Sequence, residues 1–410
     1  MNHTELSAYA DIVISAGVNL RKGQNLLIGT GPGTYEFARI LADAAYRAGA
    51  NYVEIGVADN YLLKSRIEHS AESSLSFVPN YDIVRSNEML AYDWARVRID
   101  STEEIDALKN VDSSRLQTIA KAQRSALSRM RQQMMNDQHA WCVIAAPGPK
   151  WAAKTLGKPE SAETTDEFWK VLQKILRLDQ PDPVAAWKQH GHTLKHRCHV
   201  LDEIGVRELH ITGPGTDLRV GLTDTSKWKG GPAATPAGRE FSPNIPTEEV
   251  FTTPHYAKTD GTVRVVRPVK VLETLVRGAS FEFTDGVVTG FDAEEGRDVL
   301  ERYLQIDEGS SRLGEIALVD TNSPIYQSGL LFNSILYDEN ASIHMAIGGG
   351  YPSCLSNAKD LVDNESMMAA GCNVSLVHTD FMIGDPDTTV RAIDAAGKEH
   401  VIIENGSFVV

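Results

Sequence analysis

The chain predicts an α/β N-terminal domain built on a parallel sheet, followed by a C-terminal α+β domain with a largely antiparallel sheet. Three observations carry this expectation. The length, 410 residues, exceeds the size at which single cores usually split, so two domains are expected. The start of the chain alternates helix and strand signals, the arrangement that yields parallel sheets. From about residue 204 the chain changes to short, alternating, turn-bounded segments, the pattern of antiparallel strands. The expected domains are residues 1–203 and 204–410.

Residues 5–20 carry apolar positions at helical spacing, and 24–29 read as a buried strand. A turn at 30–34, an alanine-rich helix at 35–48 and a strand at 52–56 complete one β-turn-α-β unit. The Gly29-Thr30-Gly31-Pro32-Gly33-Thr34 turn invites comparison with a phosphate loop. Thr34 stands where a dinucleotide fingerprint needs its third glycine, and no Gly-Lys-Ser/Thr follows, so a tight βα connection is the better reading. Residues 114–136 read as one long polar helix, 140–146 as a strand ending in Pro147-Gly148-Pro149, and 160–202 as helical. His190, His192, His196 and His199 cluster in this last stretch, some of them on one helix face. No acidic or cysteine partner joins them, so a solvated or interface face is expected rather than a metal site. Further strands are expected at 206–212, 217–222, 262–269, 271–276, 279–284 and 286–291, interrupted afterwards by a helix at 294–304.

Composition narrows the partners. With 42% hydrophobic and 23% charged residues the chain is globular rather than fibrous or disordered. A formal charge of −15 argues against a nucleic-acid backbone, which requires excess Lys and Arg. No apolar stretch approaches the roughly 20 residues needed to cross a bilayer. Residues 1–6 lack the basic start and apolar run of a secretory signal. The four cysteines, Cys142, Cys198, Cys354 and Cys372, form no CxxC pair and read as reduced thiols, so a cytoplasmic location is expected.

Four segments of the second half place ligand-type residues in strand or turn contexts. Residues 244–254 put Glu248 and Glu249 on a strand-like piece between prolines, and 313–320 form an apolar strand containing Glu315. Residues 342–351 carry His344 on a strand and then a Gly-Gly-Gly turn delivering Tyr351. In 374–384, His378 and Asp380 stand two apart, so both project to the same side of their strand. A carboxylate on an apolar strand is costly to bury unless paired or metal-bound. One such residue reads equally well as a satisfied core group, whereas four segments of this type in one β domain favour a metal site. Mixed oxygen and imidazole ligands point to Zn, Co or Mn rather than to a thiolate-type centre. An excess of carboxylates over histidines suits two ions sharing a bridging carboxylate, the arrangement that activates water for peptide hydrolysis.

In this order and spacing, the four segments resemble the M29 family of metallo-aminopeptidases, and the resemblance runs over essentially the whole chain. It implies a two-domain homodimer that releases N-terminal residues from short peptides through a metal-activated water at a dinuclear site. It makes Glu249, Glu315, His344, His378 and Asp380 ligands of two divalent ions (Zn, Co, Mn or Mg). It makes Glu315 the bridge, able also to take a proton. Tyr351 becomes the donor to the developing oxyanion, a role suited to a residue on a flexible glycine turn. Glu249 fits the family register, and its neighbour Glu248 points to the other face of the strand. The N-terminal domain holds no recognisable chemistry and reads as a wall limiting access and aiding dimerisation. Two rivals remain. A mononuclear Fe(II) ring-cleaving dioxygenase would use His378-Thr379-Asp380 as part of a two-His-one-carboxylate triad, but only His400 lies downstream. A non-catalytic nucleotide or sugar-phosphate binder would use the α/β half.

Overall fold

The computed structural model describes residues 3–100, 102–104, 106–272 and 274–410. Met1 and Asn2, part of the start read for a signal, lie outside these, as does Glu273 within the expected strand 271–276. The chain forms two units: Met1–His190 with Pro232–Pro246 and Phe332–Leu336, and Gly191–Gly231 with Thr247–Leu331 and Tyr337–Val410.

The first unit is built on a five-stranded sheet in the order Asn244–Ile245, Trp141–Ala145, Ala95–Asp100, Asn25–Thr30, Tyr52–Val57, with every pairing parallel. Consecutive residues Leu26, Leu27 and Ile28 are all buried, so both faces of the sheet are covered, as parallel sheets require. The expected helix at 114–136 is in fact two, Ser113–Ala126 and Ser128–Met135. Leu127 leaves helical geometry between them at φ −105°, ψ 19°. The expected helical stretch 160–202 likewise divides into Ala162–Ile175 and Pro183–Ile204. Ser161 caps the former, its hydroxyl accepting from Thr164 N at 3.0 Å. Pro181 and Pro183 mark the break before the latter, since proline lacks the N–H that a helix interior uses.

The strand order of this sheet reverses between Asn25–Thr30 and Ala95–Asp100, the place where open α/β sheets commonly hold a ligand. Here the protein's own carboxylates fill it. Glu103 accepts from Trp151 N at 2.9 Å and Lys150 N at 3.2 Å, at the start of the helix Pro149–Leu156. Glu104 accepts from Asn60 N at 2.9 Å, at the start of the helix Asn60–His69. Carboxylates thus take the helix N-termini that a phosphate would take. A Cβ on Gly33 would lie 2.6 Å from Glu103 Cβ, and one on Gly148 would lie 2.2 Å from Glu103 Cδ. The glycines of these turns make room for buried side chains, which explains the glycine-rich turn without a nucleotide. Gly148→Ala is therefore expected to cost roughly 2–4 kcal/mol by overpacking. Thermal unfolding checks this: a melting point roughly 5–10 °C lower is expected.

The second unit contains an eight-stranded antiparallel sheet. Its order is Val287–Asp292, Ser280–Thr284, Pro254–Arg264, Thr216–Leu222, Val206–Gly213, Thr389–Asp394, Glu399–Glu404, Ser407–Phe408. A five-stranded antiparallel sheet joins His378–Met382, His344–Gly348, Leu313–Val319, Glu249–Thr252 and Lys229–Gly230 in that order. The sequence places one strand at 262–269, but the strand Pro254–Arg264 ends earlier and Val269–Val271 pairs with Thr274–Val276 as a small hairpin. The helix expected at 294–304 begins at Arg297.

The five-stranded sheet has two chemically distinct faces. Val250, Ile316, Leu318, Met345, Ile347 and Phe381 all join the hydrophobic core shared with the larger sheet. Their alternating neighbours Glu249, Glu315, His344, His378 and Asp380 therefore project to the opposite face. A register shift between Leu313 and Glu315 is needed for this: Leu313 pairs with Ile347 and Glu315 with Ala346. The extra residue, Gly314, turns Leu313 into the core while Glu315 faces the other way. A Cβ there would lie 2.3 Å from Gly349 O, so only glycine fits the bulge.

Candidate metal centre

The ligand-type residues named from the sequence converge on that second face. Glu249, Glu315 and His344 offer ligand atoms that all lie within 4.8 Å of one another, and so do Glu315, His378 and Asp380. Glu315 belongs to both groups. His344 Nε2 lies 3.2 Å from Glu249 Oε2, and His378 Nε2 lies 3.2 Å from Glu315 Oε2 and 3.4 Å from Asp380 Oδ1. Glu248, just before the strand Glu249–Thr252, belongs to neither group and contributes to the electrostatics of Arg197.

Both imidazoles are oriented through their second nitrogen. His344 Nδ1 contacts Ser342 O at 3.1 Å and His378 Nδ1 contacts Gly349 O at 2.7 Å. A carbonyl only accepts, so each Nδ1 carries the proton and each Nε2 is presented to the carboxylates, the usual backing of metal-bound histidine.

The electrostatics of the cluster favour positive charge. Burial alone disfavours a charged His344, but the hydrogen bond and charge of Glu249, with Asp380 and Glu315, push it up to about 10. Burial likewise opposes a charged His378, yet Asp380 and Glu315 hold it well above the ordinary imidazole range. Burial raises Glu315, and the neighbouring charges of Asp380 and Glu249 add to the rise against the opposing bond from His378. Asp380 is also penalised by burial, but His378 and His344 draw it below the ordinary carboxylate range. Without other cations, the acidic cluster gathers protons onto its histidines. Asp380 Oδ1 is buried and makes no hydrogen bond, although His378 Nε2 pairs with it as an ion at 3.4 Å. Buried carboxylates paired with protonated imidazoles fit a donor set built for divalent cations.

Sequence reasoning missed one member. Glu339, on the short turn Glu339–Ala341 that precedes the His344 strand, is raised well above the carboxylate range by burial and by Glu249, Asp380 and Glu315. It adds a fourth carboxylate. No periodic strand surrounds it, so no pattern in the sequence marks it.

Tyr351 reaches the same place. Its hydroxyl lies 3.3 Å from His378 Nε2 and its ring 5.0 Å from the His378 ring. Thr253 Oγ1 donates to Tyr351 O at 3.0 Å and accepts from Tyr351 N at 2.9 Å, fixing the backbone. The glycine turn before it is not the flexible tether the sequence suggests. Gly348 N, Gly349 N and Gly350 N each donate at 2.8 Å, to Arg312 O, Val377 O and Asn373 O. Asn373 Nδ2 also donates to Gly348 O at 2.6 Å. Burial, followed by the charges of Glu315, Asp380, Glu339 and Glu249, raises the phenol well above its usual range, so it remains a donor.

His400, the one histidine downstream of His378, is occupied by Asp394 at 2.9 Å on another hairpin and is absent from both ligand groups. The oxygenase triad therefore has no downstream histidine, and that reading is not favoured.

A buried carboxylate and imidazole cluster with a poised phenol, displayed on one face of an antiparallel sheet, defines a hydrolytic metalloenzyme. Comparison with known proteins makes this specific: the chain belongs to the thermophilic metalloprotease (M29) family, which matches residues 2–408. It is 36% identical over 404 residues to Aminopeptidase 2 of Geobacillus stearothermophilus, covering 98% of this chain and 97% of that one. It is 34% identical over 406 residues to Aminopeptidase T of Thermus thermophilus, covering 99% and 98%. The solved structure of wild-type AmpT from Thermus thermophilus superimposes with a TM-score of 0.90 at 33% identity, covering 99% of both chains.

Proposed function

We propose that the protein releases N-terminal amino acids from short peptides at a dinuclear metal centre. Membership of a metalloprotease family and relatives named as aminopeptidases support the reaction. The observation that carries the dinuclear reading is Glu315, whose carboxylate belongs to two ligand groups at once. Glu249, Glu315 and His344 would hold one ion, and Glu315, His378 and Asp380 the other. Such ions supply Lewis-acid polarisation of the scissile carbonyl and a water activated for attack. Imidazole and carboxylate donors without thiolate suit Zn, Co or Mn, with Mg also compatible with the carboxylates.

The chain's own groups do the rest. Tyr351 presents its O–H towards this face and donates to the oxygen on which negative charge develops. Glu315, buried and common to both groups, would hold the ions and is placed to accept a proton as attack proceeds. Glu339 adds a fourth carboxyl at the same place; with cations offsetting the charges of its neighbours it would ionise and face a substrate α-ammonium. Among the described residues no helix is long and apolar enough to cross a membrane, and all four cysteines are free and buried. The free thiols support a reducing, cytoplasmic setting. The homodimer follows from the resemblance to the family.

The test is metal analysis of purified protein beside hydrolysis of aminoacyl-p-nitroanilides, before and after chelation. We expect about two ions per chain in the catalytic centre and loss of hydrolysis on their removal, restored by divalent metal. Chelation is also expected to lower the melting point, because ions bound a hundredfold above Kd stabilise by roughly 2.7 kcal/mol. Hydrolysis untouched by chelation would falsify the reading.

A further inference from the structure

The helix Pro183–Ile204 displays a stripe of histidine and glutamate side chains, in the part of the chain that belongs to the second unit. His192, His196, His199 and Glu203 are all exposed. At about 100° per residue these four positions fall within roughly 60° of one another around the helix axis. The opposite side carries Leu194, Cys198 and Leu201, which are buried in the hydrophobic core. The core thus fixes the rotation of the helix and holds the histidine stripe toward solvent.

Within the stripe, His192 and His196 stand one turn apart, and His196 and His199 three residues apart. Such spacings bring Cβ atoms to roughly 5–6 Å, the separation at which two imidazoles on a helix close on one ion. The acidic partner that the sequence alone did not suggest is also present: His199 Nε2 lies 3.1 Å from Glu203 Oε1. His190 does not join the stripe. Its ring packs edge-on against Trp187 at 5.6 Å.

From this geometry we infer a second metal-binding site, separate from the catalytic cluster, in which His192 and His196 chelate one divalent transition ion. His199, oriented by Glu203, flanks the pair. The donors differ from those of the sheet face. Imidazole alone, open to solvent, selects Cu²⁺, Ni²⁺ or Zn²⁺ and offers nothing to Mg²⁺ or Ca²⁺. Total metal on the protein in the presence of such ions therefore exceeds what the catalytic centre holds.

The experiment uses untagged protein with its catalytic ions bound. It measures retention on Ni²⁺-iminodiacetate resin and Ni²⁺ uptake by equilibrium dialysis. The wild type is expected to be retained and to take up one Ni²⁺ per chain beyond the catalytic complement. His196→Ala is expected to lose retention and to weaken this uptake by about tenfold or more, because chelation by two linked donors is lost. His190→Ala, off the stripe, is expected to behave as wild type, and both variants are expected to hydrolyse substrate normally. Alanine is favourable on an exposed helix face, so His196→Ala remains folded. The site is overturned if wild type passes through the resin, or if His196→Ala is retained as strongly as wild type.

Discussion

Glu315→Gln is expected to reduce turnover by roughly a thousandfold or more, because it alters the carboxylate proposed both to hold the two ions and to accept the proton. A glutamine keeps the shape and can still contact His378, so the change isolates charge from packing. Metal content is expected to fall below two ions per chain, since the shared carboxylate serves both ligand groups. Stability should move the other way in metal-free protein. Burial and the charges of Asp380 and Glu249 raise the Glu315 carboxyl in the folded state. An acid whose folded pKa lies above its unfolded value loses stability as pH climbs from the unfolded to the folded value. At neutral pH, above the unfolded value, Glu315 is therefore a net cost that glutamine removes. Metal-free Glu315→Gln is expected to melt roughly 2–5 °C above metal-free wild type. With saturating metal the order reverses, because wild type alone binds the full complement. Thermal scans of both proteins, with chelator and with metal, check the crossing. A variant less stable than wild type in both conditions would assign Glu315 a purely structural role.

The legible parts of this site follow from the period of a strand. Val250, Ile316, Leu318, Met345, Ile347 and Phe381 join the core, so the polar residues alternating with them had only one other face to occupy. That is why Glu315, His344, His378 and Asp380 stood out as ligand-type residues on apolar strands and why one of Glu248 and Glu249 was expected to point away. What lay outside that periodicity was not legible. Glu339 sits on a single turn whose neighbours follow no repeat. The bulge at Gly314 depends on Gly349 O and Gly348 O from the neighbouring turn, which no local pattern announces. The α/β half was readable as a parallel sheet from its strand and helix order, but its fifth strand, Asn244–Ile245, comes from far along the chain. The break at Leu127 carries no proline or glycine, so helix propensity alone predicts continuity across it. The glycine-rich turn at 30–34 was readable as a tight βα connection, but the reason for its glycines was not. Its glycines answer to Glu103 and Glu104, residues some seventy positions later that fold back onto it.

Tyr351→Phe separates the donor from its scaffold, and is expected to depress kcat on the order of a hundredfold with metal content unchanged. Phenylalanine preserves the ring, which packs edge-on to Phe251 at 5.8 Å and beside His378 at 5.0 Å. It also preserves the paired hydrogen bonds between Thr253 and the Tyr351 backbone, since both use main-chain atoms. Only the hydroxyl is lost. Because the phenol is held well above its usual range by burial and the surrounding carboxylates, it enters the reaction as a donor rather than a phenolate. A donor matters most where charge develops, so the loss should fall on kcat while KM changes little. Steady-state hydrolysis of an aminoacyl-p-nitroanilide, paired with metal analysis of the same preparation, distinguishes the outcomes. A fall in metal content that tracks the fall in activity would make Tyr351 a ligand. Unchanged activity would leave the oxyanion to the ions alone. Glu315→Gln and Tyr351→Phe should also differ in kind: the first removes metal and turnover together, the second turnover only. The hydroxyl lies 3.3 Å from His378 Nε2, the nitrogen proposed to ligate. As a ligand, that nitrogen would carry no proton to share with the phenol oxygen, which leaves the Tyr351 O–H to donate to the substrate oxygen.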